Sequence, residues 1–104
     1  MSAILPDQPP PVDGVGDVWA DLIAEAESDG RCSPTLLAAM RERRELGIQR
    51  YGKPLQYENG RDPLTDAAQE LLDAAAYLRQ AGGTVFPALI LGVADAVLSG
   101  ARRD

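Results

Sequence analysis

Residues 62–79 read Asp62-Pro63-Leu64-Thr65-Asp66-Ala67-Ala68-Gln69-Glu70-Leu71-Leu72-Asp73-Ala74-Ala75-Ala76-Tyr77-Leu78-Arg79, and this stretch decides the fold. At 100° per residue, Leu64, Ala68, Leu71, Ala75 and Leu78 fall on one narrow stripe. Asp66, Glu70, Asp73 and Tyr77 fall on a second stripe, within an arc of roughly 60°. Asp62 before Pro63 is a helix start, with a capping carboxylate followed by the one residue that needs no amide partner in the first turn. The spacing therefore predicts an amphipathic helix from Pro63 to about Gln80, broken by Gly82-Gly83.

Outward from this helix the same signals recur. Thr84 is placed to cap a further helix from Val85 to about Ala101. Val85, Phe86, Leu89, Ile90, Leu91, Val93, Val97 and Leu98 make it apolar nearly all round. A helix with so little polar face is expected to be buried on several sides, and in so short a chain a second subunit is the obvious cover. Upstream, Ser33-Pro34 opens a helix that Gly52 stops. Leu37, Met40, Ile48 and Tyr51 share one of its faces, and Arg44 lies within that stripe, where it must reach out or meet an anion. Between Gly52 and Asp62 the chain is too rich in Pro, Gly and Asn for regular structure. That connector of roughly ten residues exceeds the 2–8 usual between bundle helices, and long ordered loops tend to be functional. Another helix starts at Asp17, carries Val18, Trp19, Leu22, Ile23 and Ala26 at helical spacing, and ends at Asp29-Gly30. Residues 1–16 hold four of the eight prolines plus Gly14 and Gly16, and read as a disordered, mobile arm. The expected architecture is all-α: about four helices forming a hairpin or bundle, one domain over 17–104, completed by oligomerisation.

Composition sets the limits of function. The chain has 104 residues, 45% hydrophobic and 25% charged, which suits one small globular domain. Scarce aromatics and plentiful Ala and Leu favour helices over sheets. The net charge of −6 disfavours general nucleic-acid binding. Nine of the ten basic residues are Arg, and Arg41, Arg43, Arg44, Arg50, Lys53 and Arg61 crowd into 21 residues; the planar guanidinium fork suits phosphate. With no histidine and the single Cys32, a zinc site of the usual kind and a His-based triad are both excluded. Any metal would be a hard ion on carboxylates. The lone Cys also fits a reducing cytoplasm. MSAILPDQPPP lacks the basic start and apolar run of a signal peptide, and residues 85–98 are interrupted by Pro87 and Asp95, so no membrane span is expected.

The acidic stripe is where chemistry is expected. Carboxylates at i, i+4 and i+7 repel, each i,i+4 pair costing a few tenths of a kcal/mol on an exposed helix. A divalent cation relieves that repulsion, and Mg²⁺ needs only one or two carboxylates plus water and substrate phosphates. No Lys or Arg lies three or four residues from Asp66 or Glu70 to neutralise them. The alternative is a plain solvated acidic face. A second pair, Glu42 and Glu45, sits at i,i+3 on the helix opened by Ser33, with 24 residues between Glu45 and Glu70. Glu45 borders the apolar stripe and Glu42 points away from it. Both are equally readable as salt-bridge partners of Arg41 or Arg44.

Taken together, Arg44-Glu45-Leu46-Gly47-Ile48-Gln49-Arg50-Tyr51-Gly52-Lys53-Pro54-Leu55, then Asn59-Gly60-Arg61-Asp62, then Asp66, Gln69-Glu70, Asp73 and Tyr77-Leu78-Arg79 resemble the MazG-like nucleotide pyrophosphohydrolases of bacteriophages, nearest to the dATP/dGTP diphosphohydrolase N-terminal branch. The resemblance spans about residues 17–80. It implies an all-α protein of the host cytoplasm, assembled as a dimer or tetramer. Members split a (deoxy)nucleoside triphosphate into monophosphate and pyrophosphate using Mg²⁺. Carried over by position, Glu70 and Asp73 match the family's E-x-x-D motif, while Glu45 and Glu42 stand at its first motif, E-x-x-E, which usually opens on a doubled acid (E-E-x-x-E) where this chain has Arg41; these give the metal ligands. Glu70, Asp73 and Asp66 are the implied catalytic carboxylates, with Asp66 orienting water or a second ion. Lys53 and Arg61 would contact phosphates, Asn59 or Tyr57 the base or sugar, and Arg50 and Tyr77 complete the nucleotide-binding set. The implied role is nucleotide-pool control. The alternative is an oligomer that sequesters a nucleotide, such as a defence signal, without cutting it.

Overall fold

The computed structural model describes residues 4–100. It contains four helices, α1 Val18–Asp29, α2 Pro34–Tyr51, α3 Pro63–Gln80 and α4 Val85–Leu98, and no strand among the described residues, so the fold is all-α. Three helices begin where short polar side chains satisfy first-turn amides. Asp17 Oδ1 accepts from the Ala20 amide at 2.9 Å, Ser33 Oγ from Leu36 at 3.1 Å and Asp62 Oδ1 from Leu64 at 3.0 Å. Pro34 and Pro63 occupy the first turns of α2 and α3. Gly30 and Gly52 close α1 and α2 in the left-handed conformation, at φ 76° and 78°, which a residue without Cβ adopts at little cost. Thr84 stands before α4 but makes no side-chain capping bond. Instead Pro87 fills the third helical position, where its missing amide would have had no intrahelical acceptor. The helix stops at Leu98, with the Ser99 amide donating to Asp95 O at 2.9 Å. The expected end at Ala101 lies outside the described residues.

The chain packs as two compact units. The first, Pro10–Gly60, is the α1–α2 hairpin. Ile23 is buried, while Leu37, Met40, Arg44 and Ile48 form a half-buried stripe on α2; Tyr51, expected on that face, is exposed. Within the stretch read as a mobile arm, residues 12–15 are hydrogen-bonded to this unit. Val15 and Tyr57 exchange both backbone bonds at 2.9 Å, and the Val12 amide donates to Asn59 O at 2.8 Å. The Val18 amide donates to Leu55 O at 2.9 Å and that of Gly14 to Gln56 Oε1 at 3.2 Å. The connector 53–60 has backbone groups that no helix satisfies, and the extended Pro-rich segment supplies partners for them. Gly14 sits at the crossing: a Cβ there would lie 2.0 Å from Tyr57 O.

The second unit comprises α3, α4 and residues 4–9 among the described residues. Ala68 and Ala75 of α3 and Pro87 and Ala94 of α4 are its buried residues, so the two helices meet through small side chains. Leu64 and Leu71 of the predicted stripe are half-buried and Leu78 lies at its exposed edge. The rest of α4 faces outward, with Val85 67%, Phe86 66% and Leu89 60% exposed. Within its own unit, then, α4 is buried on one side and not on several among the described residues. Residues 8 and 9 are tied to the start of α3: Gln8 Nε2 donates to Asp62 O at 2.7 Å, and Arg61 Nη1 to Pro9 O at 2.7 Å. Among the described residues no helix is long and apolar enough to cross a membrane.

Candidate functional site

The face of α3 opposite Ala68 and Ala75 carries Asp66, Glu70, Asp73 and Tyr77, as the spacing requires. Glu70, Asp73 and Tyr77 are exposed. Asp66 is half-buried, and Arg61 holds it with two parallel bonds, Nε to Oδ2 at 3.0 Å and Nη2 to Oδ1 at 2.7 Å. A search at helical spacing misses Arg61 because it lies five residues upstream and outside the helix. The residue before the cap folds back over the first turn and reaches the carboxylate from there. Asp66 is thus committed to a guanidinium, which counts against a role in orienting water or a second ion. That leaves Glu70 and Asp73, one turn apart, with neither an ion pair nor a side-chain hydrogen bond among the described residues.

The remaining predicted residues belong to the first unit. Lys53 Nζ pairs with Asp13. The Tyr57 hydroxyl donates to Asp21 Oδ2 at 2.6 Å, which pushes the phenol pKa above its usual 10.0 because ionisation would break that bond beside a carboxylate. The ring of Tyr57 lies close to Gly16, 3.2 Å from where a Cβ would stand. Tyr57 and Asn59, expected at a base or sugar, both join the pairing with residues 12–15 through their backbones. Arg50 stacks its guanidinium 6.0 Å from the Tyr51 ring centre. Glu42 and Glu45 are exposed on α2. They are not the ion-pair partners of Arg41 and Arg44, because Arg41 pairs with Glu27 and Arg44 with Asp17.

Arg44 is the structural key of this unit. Its Nε and Nη2 both donate to Asp17 Oδ2, at 2.9 and 2.7 Å. The same carboxyl group caps α1, so one side chain ends a helix and neutralises a cation that interrupts the apolar stripe. The Arg44 hydrogen bond, ahead of the capping amides, holds the Asp17 carboxyl below its usual range. Sequence reasoning missed Asp13, Asp17 and Asp21 as partners of Lys53, Arg44 and Tyr57. One signal was available: an Arg inside an apolar stripe implies a nearby anion.

Among the described residues no three of His, Cys, Asp or Glu gather into a group able to hold a metal ion by themselves. The Glu70–Asp73 pair supplies hard oxygen donors on an open face, the donor set that Mg²⁺ takes when water and phosphate oxygens fill the rest of its shell. The chain matches no family model, no curated protein and no solved structure, so these assignments rest on its own residues.

Proposed function

We propose that this chain binds a (deoxy)nucleoside triphosphate with Mg²⁺ and hydrolyses it to the monophosphate and pyrophosphate. The observation that carries the reading is the pair Glu70 and Asp73: two carboxylates one turn apart, exposed, with no ion pair among the described residues, on a helix whose Asp66 is paired with Arg61. Uncompensated neighbouring carboxylates are what a divalent ion and its phosphates relieve. In this reading Glu70 and Asp73 hold the ion and, through it, the polyphosphate. Mg²⁺, when bound, polarises a phosphoryl oxygen and lowers the pKa of a coordinated water. Arg61, its fork held by Asp66 and by Pro9 O, adds a fixed positive charge at the start of α3 that favours a polyphosphate nearby. Tyr77, exposed on the same face, offers an aromatic surface against which a base stacks.

Capture without hydrolysis is the second reading, favoured by one feature. Arg41 precedes Glu42 where the resembling family doubles its acid, and Arg41 is itself paired with Glu27. The first motif is therefore one carboxylate short.

A panel of dNTPs and NTPs incubated with Mg²⁺ and read out as released pyrophosphate tests the enzyme reading. Glu70→Gln and Asp73→Asn should each lower the rate by at least about tenfold, since even indirect partners of a metal are worth 10–100-fold in affinity. Binding seen by calorimetry with no product selects capture. Neither binding nor product with any triphosphate overturns both readings.

A further inference from the structure

The outward side of α4 is the largest feature that the proposed chemistry leaves unused. Pro87 and Ala94 are buried, and Ile90 and Val97 are half-buried beside them, which marks the side packed on α3. From beside Val97 round to the far side, Phe86, Val93, Leu89, Ala96, Val85 and Gly92 fill an arc of roughly 120°. All six are exposed and none is charged. Val85, Phe86, Leu89 and Val93 alone present roughly 400 Å² of apolar surface, the size of the largest patch on a typical monomer. Two such patches, with the glycine and alanine between them, reach the roughly 1,000 Å² of total buried area that a specific interface needs. Positions 85, 89, 92 and 96 alternate in steps of four, three and four, the seam spacing of paired helices.

The order of side-chain sizes along this seam identifies the occupant. Bulk lies in the first half, at Val85 and Leu89, and the small residues Gly92 and Ala96 lie in the second. A two-fold axis between Leu89 and Gly92 sets Val85 of one antiparallel copy against Ala96 of the other, and Leu89 against Gly92. Large then meets small at every step. A parallel pair would oppose glycine to glycine and leave a void, with its penalty in lost contacts. Antiparallel helices also place opposite dipole ends together. Asp95, the one charged residue of α4, lies off the stripe and stays wet. A helix without a single Lys or Arg has nothing to draw it to an anionic lipid surface.

We infer that this face of α4 is a self-association surface, on which a second copy of the chain packs antiparallel through Val85, Leu89, Gly92 and Ala96. The inference does not depend on any nucleotide chemistry, and its test reads mass rather than activity. Sedimentation equilibrium of the full chain at tens of micromolar should give at least twice the 11.1 kDa of one copy. Leu89→Glu should halve that mass with helix content by circular dichroism unchanged, whereas Leu91→Gln, on α4 but outside the stripe, should leave it intact. In a Cys32→Ser background, chains carrying Val85→Cys and Ala96→Cys should form a mixed disulfide when combined and neither homodimer when alone. A monomer at these concentrations, a folded Leu89→Glu that still associates, or cross-linking of Val85→Cys with itself would each overturn the inference.

Discussion

Arg44 shows how one residue couples helix packing to pH. It interrupts the apolar stripe of α2, and the cost of half-burying a guanidinium is offset because Asp17 accepts two of its N–H groups. The Asp17 carboxyl titrates below its usual 3.8 in the folded chain, chiefly through that pairing. A depressed folded-state pKa contributes stability at neutral pH that disappears as pH falls through it. Urea midpoints should therefore drop between about pH 5 and pH 2, and the drop should be shallower in Arg44→Ala, which starts from a lower midpoint. Parallel acid limbs in the two proteins would refute the coupling. Tyr57 works in the opposite sense. Its phenol pKa is raised above 10.0, mainly by donating to Asp21, so its contribution is complete below pH 10 and fades as pH rises beyond. Ultraviolet titration of the wild type minus Tyr57→Phe should isolate a phenol that ionises above that value, and a difference curve centred at or below it would mean the Asp21 bond is not formed in solution.

The helices themselves follow from short-range rules. Asp17, Ser33 and Asp62 start three of them, and Gly30 and Gly52 end two, all within a few residues of where they act. The pairing of residues 12–15 with 57–59 follows a different logic. A Pro-rich segment looks mobile when read alone, and only the meeting with an unsatisfied connector makes it ordered. Gly14 is the sensitive point, since a Cβ would overlap Tyr57 O at 2.0 Å. Gly14→Ala should cost about 1–3 kcal/mol, as forced overpacking does, and should abolish hydrogen-exchange protection of the Val15 and Tyr57 amides. Gly30→Ala, where a Cβ meets nothing within 4 Å but φ is 76°, should cost about 1 kcal/mol and leave those amides protected. Equal protection in both variants would show that the crossing is looser than described.

The described residues form two helical hairpins with thin cores, one of them built on alanine and proline. So small a chain buries only about two-thirds of its surface on folding, which leaves α4 with an apolar side that its own hairpin does not cover. The four helices, the limits of the first three and the two stripes of α3 were legible in the order of residues because capping, glycine termination and 3.6-residue periodicity act over a few positions. The side-chain pairings were not. Asp13 with Lys53, Asp17 with Arg44 and Asp21 with Tyr57 join groups 27 to 40 residues apart, and such distances close only when helices pack. The acidic stripe divides along the same line: its alignment is a matter of helical geometry, whereas the neutralisation of Asp66 alone, with Glu70 and Asp73 left open, depends on how the chain before α3 turns back on it.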